Sequence, residues 1–399
     1  MRVLVLTAKA IWPLHGGAEI RNFSLLKEAS RHHEIYSLSF VNPGAGEEHV
    51  RALTPYCRRI QTIDLVRPRP VRVARALGSW AGGSRPFVLS EYHSRAMGDA
   101  LVRMIDEEKI DVVHAHCLHV GQYVTQPTRA AFVYDAHNLE HVLWARFAKV
   151  QGAVLRAFAR NQIPKFVRWE RRVGRLSEKV VMLSEDDRRE FLSIVPESDV
   201  VTIPNGADVE YFQPRSDIAE EENSIIYFAN FGWLPQDDAA LYLHDDILPR
   251  VRESIPGARL YLVGRNPPAA IQRLASDDVV VTGMVPDIRD YVARAAVVAL
   301  PLRIGSGQKH RVFQSLAMEK ALVTTSVGSE GIALEHDVNS LLSDDPAQIA
   351  GHIVALLRDP ERRRRIGRAG RELVVSRYEW AANYRLLDDV FEEAVRKKR

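Results

Sequence analysis

Short runs of apolar, largely β-branched residues recur along the chain, separated by segments in which apolar residues follow a helical period. The first run, residues 2–8, lacks polar alternation, which is typical of a strand buried on both faces of a parallel sheet. A helix with Ile20, Phe23 and Leu26 on one face follows it. Further strands of the first half are predicted at 34–41, 58–65, 110–117, 132–138, 179–185 and 200–207. This alternation predicts an α/β protein.

The second half repeats the pattern after a change of composition. Following Phe212, the polar and acidic stretch QPRSDIAEEENS has no periodicity and is typical of a linker. Strands are then predicted in IIYFANF, RLYLVG, VVVTGMV, VVALPL, ALVTTS and NSLLSD. We therefore expect two doubly wound, Rossmann-like domains, 1–212 and 213–399, facing each other across a cleft. The final helix, about residues 380–399, is expected to pack back on the first domain.

Two basic segments interrupt the pattern in the first half. The proline-rich stretch RPRPVRVARALGSW, which begins at Arg67, is interpreted as a connection, either a solvated loop or a contact for an anionic surface or acceptor. Residues 139–176 are predicted to be helical with an interruption near Pro164. Between Arg156 and Arg175 this segment has seven basic residues and one acid. Such a helix either lies on anionic lipid or presents a solvated basic face.

Composition excludes several functions. The 399 residues include 54 basic and 51 acidic side chains, so the balance of charge does not indicate a nucleic-acid partner. The two cysteines, Cys57 and Cys117, have no zinc-type spacing and do not indicate a disulfide framework. No apolar stretch approaches the ~18 residues of a membrane span, and the N-terminus does not resemble a signal peptide. A cytoplasmic protein, at most peripheral to a membrane, is expected.

The stretch PLRIGSGQKHRVFQSLAMEKALVTTSVGSEG, residues 301–331, contains the candidate ligand-binding residues of the second half. It predicts a strand end, a glycine loop, a helix and another strand. The helix places Val312, Phe313 and Leu316 on one side, and Arg311 and Gln314 on the other. Loop amides, a helix N-terminus and nearby cations together suit an anion. The alternative is an ordinary amphipathic helix with a glycine-rich start, because a lone glycine motif is a weak signal.

Polar residues in the first half follow the predicted strands. His114 and His116 lie near the end of one strand, where the period of two points them in the same direction. Asp135, His137 and Asn138 end the next strand. Because the carboxyl ends of strands bind ligands in open α/β sheets, we expect these residues to line one rim.

At this point the chain resembles the retaining glycosyltransferases of family 4, which have the two-domain GT-B fold. The resemblance covers nearly the whole length through the order and spacing of several motifs: PLHGGAEIR, DVVHAH, YDAHNLE, VVMLSEDD, IPNGADVEYF, FGWLPQDDA, LYLVGR, TGMVPDIRDY and residues 301–331. It implies transfer of a sugar from a nucleoside-diphosphate sugar, UDP or GDP type, to a glycan, lipid-linked or small-molecule acceptor. It also implies that no metal and no cofactor is required, since cations and amides neutralise the diphosphate.

The resemblance also assigns roles to residues. His116, Gly16 and Gly17 occupy the family's active-site positions, with His116 orienting the donor sugar. The implied donor-binding residues are Gly264, Arg265, Arg303, Gly305, Ser306, Gly307, Lys309, Arg311, Gln314 and Glu330. The acceptor-side candidates are His15, His137, Asn138 and Asn205.

The chain departs from the family pattern in the donor stretch. Ser306 and Gln314 stand where the family commonly has two glutamates, and Arg311 stands where lysine is usual. Glu319 and Ala321 replace a usual glycine and proline, and the segment NFGWLPQDD lacks a basic phosphate ligand. An alternative is therefore a weakened GT-B pseudoenzyme that binds a glycan or a partner protein.

Overall fold

The computed structural model describes residues 1–14, 16–124, 128–305 and 307–399. These form two compact units, one of Met1–Pro204 with Asn383–Arg399 and the other of Asn205–Ala382. The break falls earlier than the predicted boundary at 212. The reason is that this segment is bonded within the second unit: Ala207 N–H donates to Tyr378 O over 2.9 Å.

The described part of the first unit contains a seven-stranded, entirely parallel sheet in the order β3-β2-β1-β4-β5-β6-β7. Its strands are β1 (Arg2–Thr7), β2 (Glu34–Val41), β3 (Cys57–Asp64), β4 (Val112–His116), β5 (Ala131–Asp135), β6 (Lys179–Met182) and β7 (Val200–Thr202). The burial on both faces predicted for the first strand is confirmed, since every residue of β1 after Arg2 is buried. β4 and β5 are buried throughout.

Helices cover this sheet and account for its buried faces. They are α1 (Gly17–Ala29), α2 (Gly46–Leu53), α3 (Arg69–Trp80), α4 (Phe87–Glu91), α5 (Arg95–Glu107), α6 (Leu118–Gly121), α7 (Glu140–Val150), α8 (Ala153–Leu176) and α9 (Glu185–Ile194). Two predictions are wrong here. The stretch that begins at Arg67 is largely helical as α3 rather than a loop, and α8 continues through Pro164, the chain breaking instead at Gln151 and Gly152. Pro164 is exposed, so water can solvate the carbonyl group that loses its helical donor.

The second unit has its own parallel sheet, six-stranded in the described residues, in the order β10-β9-β8-β11-β12-β13. The strands are β8 (Glu221–Phe228), β9 (Arg259–Val263), β10 (Val279–Gly283), β11 (Ala295–Leu300), β12 (Ala321–Thr324) and β13 (Leu341–Leu342). The predicted linker is partly wrong, because β8 begins inside it. Glu220 and Glu221 are held in ion pairs with Lys320, at 3.0 Å, and Arg259, at 2.8 Å.

The helices of the second unit surround one large apolar core that includes Phe313 and Leu316. They are α10 (Leu234–Tyr242), a π-helical segment (Leu243–Ile247), α11 (Leu248–Ser254), α12 (Ala269–Gln272), α13 (Ile288–Arg294), α14 (His310–Ala317), α15 (Ser326–Ser329), α16 (Pro346–Arg358) and α17 (Pro360–Arg377). The last helix, α18 (Trp380–Lys398), begins in this unit and continues into the first. There Asp388 accepts from His33 over 2.7 Å and Lys398 pairs with Glu178 at 2.9 Å.

Neither cysteine is in a disulfide, since Cys57 and Cys117 are both free thiols. Among the helices in the described ranges, none is both long and apolar enough to cross a bilayer.

Two glycines inside helices of the second unit provide a test of this packing. A Cβ on Gly367, in α17, would lie 2.2 Å from Glu319 O, whereas a Cβ on Gly351, in α16, would meet nothing within 4 Å. Alanine favours a helix interior by about 1 kcal/mol over glycine. We expect Gly351→Ala to raise the urea midpoint, and Gly367→Ala to lower it, because overpacking costs roughly 1–3 kcal/mol. Equal midpoints for the two variants would contradict the packing of α17 described here.

Candidate active site

The first part of the candidate site lies at the carboxyl edge of the first sheet, where the strand order reverses between β1 and β4. Thr7, His116 and Asp135 end three adjacent strands and are register partners. Ligands bind at such switch points in open α/β sheets. The predicted rim is therefore present within the first unit.

Three histidines cluster at this edge. The rings of His114 and His116 have centroids 4.0 Å apart, which confirms that they point in the same direction. His116 Nδ1 lies 3.1 Å from Nε2 of His137, so His137 joins the pair from the loop after β5. His116 is 1% exposed. Its orientation is therefore fixed by packing and by His137.

A buried ion pair lies beside the histidines. The guanidinium group of Arg21, in α1, donates to both carboxylate oxygens of Asp135, with Nη2 3.0 Å from Oδ2, and the side chains are 1% and 0% exposed. Arg21 Nη1 also donates to Pro204 O over 3.1 Å. His114 Nε2 lies 3.3 Å from Asp135 Oδ2. Burial alone would raise the pKa of Asp135, but Arg21 and the neighbouring histidines hold it well below its usual range.

Burial keeps His116 and His137 neutral. Burial, together with the positive charge that His114 could carry, holds the pKa of His116 well below its usual value. Burial also lowers the pKa of His137 to about 4. At neutral pH, His116 can therefore orient a hydroxyl group through a hydrogen bond, but it is not charged and cannot serve as a proton donor of ordinary strength.

The cluster of His114, His116 and Asp135 has the ligand types and the spacing of a metal site, with one atom of each within 4.8 Å of the others. The carboxylate of Asp135 is, however, already bound by the Arg21 guanidinium. A divalent ion would be placed beside that buried positive charge, without further compensation. The residues present therefore do not fit a metal ion.

The two glycines of the candidate site begin helix α1. Gly16 is the N-cap residue in an extended conformation, and no side chain caps it among the described residues. A Cβ on Gly16 would lie 2.6 Å from Oε2 of Glu19, so glycine leaves room for that carboxylate. His15 lies outside the described residues. Asn138 follows His137 and is half-buried.

The second part of the candidate site lies at the carboxyl ends of the strands in the second unit. Arg265 follows β9 and donates from Nε to Asn230 Oδ1 over 2.9 Å. Arg311, in the first turn of α14, is half-buried, and its guanidinium group has no hydrogen bond or ion pair with any described residue. Burial lowers the pKa of Arg311, and the like charge of Arg265 contributes to the decrease. Arg311 and Arg265 are therefore neighbouring cations, and such an arrangement suits an anion.

Other predicted donor ligands already have partners. Arg303 forms a two-point ion pair with Asp238, at 2.7 and 3.0 Å, and lies 4.1 Å from the centre of the Tyr242 ring. Lys309 donates to Gly307 O and lies 4.0 Å from a carboxylate oxygen of Glu330. Arg303 and Lys309 remain predictions as donor ligands.

Glycines shape the loops around Arg311 and Arg265. Gly264, Gly305 and Gly307 all have positive φ angles, of 143°, 151° and 68°. A Cβ on Gly264 would lie 1.7 Å from Ala229 O, which excludes any other residue there. Ser306 lies outside the described residues.

Asn205 was predicted for the acceptor side of the first domain, but it belongs to the second unit. Its backbone N–H donates to Gln308 Oε1 over 2.6 Å, and Gln308 Nε2 donates in turn to Gly331 O over 2.6 Å. The buried Gln308 side chain therefore joins the residues before β8 to the loop after α15.

Gln314 lies on α14 one turn after Arg311 and is half-buried. No described residue bonds to its side-chain amide. Glu319, where the family usually has glycine, has a φ of 59°, the left-handed conformation that favours glycine.

Sequence reasoning missed Arg21 as a residue of the candidate site. Arg21 lies in the motif PLHGGAEIR, but its burial depends on how α1 packs against β5, which no local pattern encodes. The only signal was an arginine within a helix whose other face is apolar.

Comparisons with known proteins agree with this architecture. Among solved structures, sucrose-phosphate synthase from Thermosynechococcus elongatus superimposes with a TM-score of 0.73 at 17% identity, covering 98% of this chain and 99% of that chain. Anabaena HepE in complex with UDP gives 0.67 at 14% identity, with 98% and 100% coverage. The lipopolysaccharide glycosyltransferase WaaG gives 0.65 at 14% identity, with 98% and 99% coverage. The fold is the two-domain GT-B fold.

Family models extend the agreement to sequence. Residues 15–211 match "Glycosyltransferase Family 4" and residues 222–359 match "Glycosyl transferases group 1". The chain therefore belongs to glycosyltransferase family 4. A Mycobacterium tuberculosis protein described as a GDP-mannose-dependent alpha-(1-6)-phosphatidylinositol monomannoside mannosyltransferase is 26% identical over 236 residues, in two strains. The match covers 53% of this chain and about three-fifths of that relative.

The protonation states described above can be measured. Burial opposes a charge on His141, but Glu170 and Glu190, at 2.6 and 3.1 Å, raise the pKa of His141 above its usual value. In NMR spectra of histidine-labelled protein at pH 6.5, we expect His141 to be protonated and His116 to be neutral. His116→Gln and His141→Gln variants assign the signals. Protonation of His116 with an ordinary midpoint near 6.5 would contradict the site geometry.

Proposed function

We propose that the protein is a retaining glycosyltransferase that moves a sugar from a nucleoside-diphosphate sugar to a glycan, lipid-linked or small-molecule acceptor without a metal ion. The observation that carries the proposal is the pair Arg311 and Arg265 in the second unit. Arg311 is a half-buried cation with no protein partner among the described residues, and a diphosphate would supply the missing negative charge.

The proposed donor is a sugar nucleotide of the UDP or the GDP type. The mycobacterial relative is described as GDP-mannose-dependent, and HepE has been solved with UDP and with UDP-glucose. These names support a nucleoside-diphosphate sugar as the donor class.

The chemistry follows from the charges available. The bond between the anomeric carbon and the diphosphate breaks, and negative charge grows on the leaving phosphate, where Arg311 and Arg265 stabilise it. The acceptor hydroxyl oxygen forms the new bond on the face that the diphosphate leaves, and its proton passes to the leaving phosphate. Neutral His116 orients the sugar through a hydrogen bond and gives up no proton. Anomeric configuration is thereby retained.

Metal independence has a physical basis in both units. The guanidinium groups of Arg311 and Arg265 provide the positive charge that a divalent ion supplies in other transferases. In the first unit, the Asp135 carboxylate, which could otherwise bind a metal ion, already pairs with the Arg21 guanidinium group.

Paired variants of two arginines test the donor site. Arg311→Met removes a cation that has no protein partner, so nucleoside-diphosphate binding should weaken roughly 10–100-fold, the range for charge-assisted hydrogen bonds. Arg303→Met removes a cation that Asp238 already neutralises, and we expect a change of less than about threefold. Isothermal titration with UDP, GDP and ADP in EDTA measures both. A larger loss for Arg303→Met would contradict the assignment.

The amide at Gln314 favours one alternative, a weakened GT-B pseudoenzyme that binds a glycan or a partner protein. The Gln314 carbonyl can accept a ribose hydroxyl bond, but a carboxylate would accept it about twice as strongly. If the site is degraded, Gln314→Glu should tighten donor binding by about fivefold or more. If the amide is a working substitute, as we propose, affinity should be unchanged and donor hydrolysis should be measurable in the wild type.

Peripheral contact with an anionic membrane through Arg156–Arg175 is part of the same proposal, and so is a cytoplasmic location. Arg156, Arg160 and Arg168 are all exposed along α8. The one acid of this segment, Glu170, is buried, so the exposed face of α8 over this range has only positive charge.

A further inference from the structure

A cavity of about 530 Å³ in the first unit lies between α3, α4 and α8, and no residue of the histidine cluster lines it. We name it the arginine pocket. Its lining consists of three arginines, three serines, two glycines and one tryptophan: Arg75, Gly78, Ser79, Gly83, Ser84, Arg85, Ser90, Trp169 and Arg172. The volume is within the range of pockets that bind small molecules.

Two of the arginines converge on one indole ring. The guanidinium carbons of Arg85 and Arg172 each lie 5.4 Å from the centre of the Trp169 ring. Neither side chain forms a hydrogen bond or ion pair with a described residue. Burial lowers the pKa of Arg85, and the charge of Arg172 adds to this effect. The two cations therefore repel each other, and no described carboxylate pairs with either of them.

The nearest carboxylates are engaged elsewhere. Glu91 forms an ion pair with Arg72 at 2.7 Å, while Arg75 reaches only its backbone carbonyl group, at 3.5 Å. Glu170 is completely buried and accepts from the backbone N–H of Glu140 over 2.7 Å. No acid lines the arginine pocket, so an anionic ligand meets only cations, hydroxyl groups and the indole.

The walls of the pocket are held by a buried amide. Gln162 Oε1, on α8, accepts from Ser79 Oγ over 3.0 Å and from the backbone N–H of Phe87 over 2.8 Å. This side chain therefore joins α3 and the start of α4 to α8. The pocket is built into the packing of the unit rather than formed by surface side chains alone.

A larger groove of about 980 Å³ adjoins the pocket and shares Arg172 with it. Its other lining residues are four apolar residues and three arginines: Ile163, Pro164, Val167, Leu176, Arg168, Arg171 and Arg175. Arg171 donates to Ile194 O over 2.9 Å, and Arg175 pairs with Glu197 at 2.5 Å. A cationic pocket that shares an arginine with a groove of apolar and basic residues matches a ligand with an anionic head and a hydrocarbon chain.

The surface beside the pocket is also apolar and exposed. Leu77 and Trp80, on α3, are 59% and 42% exposed, and Val154 and Leu155, at the start of α8, are 69% and 52% exposed. The Trp80 ring contacts Phe158 of α8 with centroids 5.8 Å apart, so the two helices are joined here. Apolar side chains next to arginines are typical of a surface that lies on anionic lipid.

We propose that the arginine pocket binds the phosphate headgroup of an anionic lipid, with the hydrocarbon chain along the adjoining groove. Arg85, Arg172 and Arg75 neutralise the phosphate, and the open hydroxyl of Ser84 donates to it. The proposal rests on the membrane contact proposed above for Arg156–Arg175, but it does not depend on sugar transfer, because this binding requires no sugar donor.

Sedimentation with vesicles tests the proposal on the full chain. Phosphatidylcholine vesicles with about one third phosphatidylglycerol should bind the wild-type protein, and Arg85→Gln with Arg172→Gln should reduce binding at least about 20-fold, since each arginine contributes roughly fivefold. The matched control, Arg364→Gln with Arg368→Gln, removes the same charge from exposed positions of α17 and should change binding less than twofold. An equal loss of vesicle binding in both double variants would show that only the net charge of the protein matters, and would overturn the proposal.

A single variant at an exposed position guards against a folding defect. Ser84→Glu places a carboxylate among the arginines and should abolish vesicle binding, while Ser84→Gln should retain it. Titration with inorganic phosphate and with glycerol 3-phosphate tests whether the bound anion is a lipid headgroup or a free phosphate. Weak binding of both, far below that of the vesicles, supports a lipid. Tight binding of inorganic phosphate without vesicle binding overturns the lipid assignment.

Discussion

The first unit depends on the buried ion pair of Arg21 and Asp135. A carboxylate with 0% exposure at the end of a central strand is tolerated only because a guanidinium group bonds both of its oxygens. The pair fixes α1 to the carboxyl edge of the sheet, which positions Gly16 and Gly17 at the helix start. It also lies beside His114, next to the buried His116, whose pKa burial holds well below its usual value. One interaction thus connects the glycine turn to the strand ends that present the histidines.

The second unit contains an arginine without a paired carboxylate, in contrast to Arg21. Arg21 is fully paired within the protein, whereas Arg311 is half-buried, has no described partner and lies near another cation, Arg265. Leaving such a group unpaired is unfavourable for folding, so the arrangement is explained most simply by a ligand that supplies the charge. The difference between the paired and the unpaired arginines is the strongest physical argument for the proposed diphosphate site.

Much of this could be predicted from the sequence, because parallel strands buried on both faces have a clear signature. β2 (Glu34–Val41) was predicted at its observed bounds, and the shared direction of His114 and His116 followed from the period of two. Residues whose role depends on packing between distant elements could not be predicted. The burial of Arg21 requires α1 on β5, and the helical state of α3 overrides a proline-rich composition. Glu170 lies in a strongly basic segment of the sequence, yet its side chain is buried and accepts a hydrogen bond from the backbone N–H of Glu140 in α7.

The central claim is that guanidinium groups, rather than a metal ion, support transfer with retention of configuration. The most direct measurement follows the anomeric proton by NMR while the protein turns over a UDP- or GDP-sugar in excess EDTA. The account predicts release or transfer of the sugar with the anomeric configuration of the donor, at a rate unchanged by adding Mg²⁺ or Mn²⁺. Turnover that requires a divalent ion, or a product of inverted configuration, would contradict it.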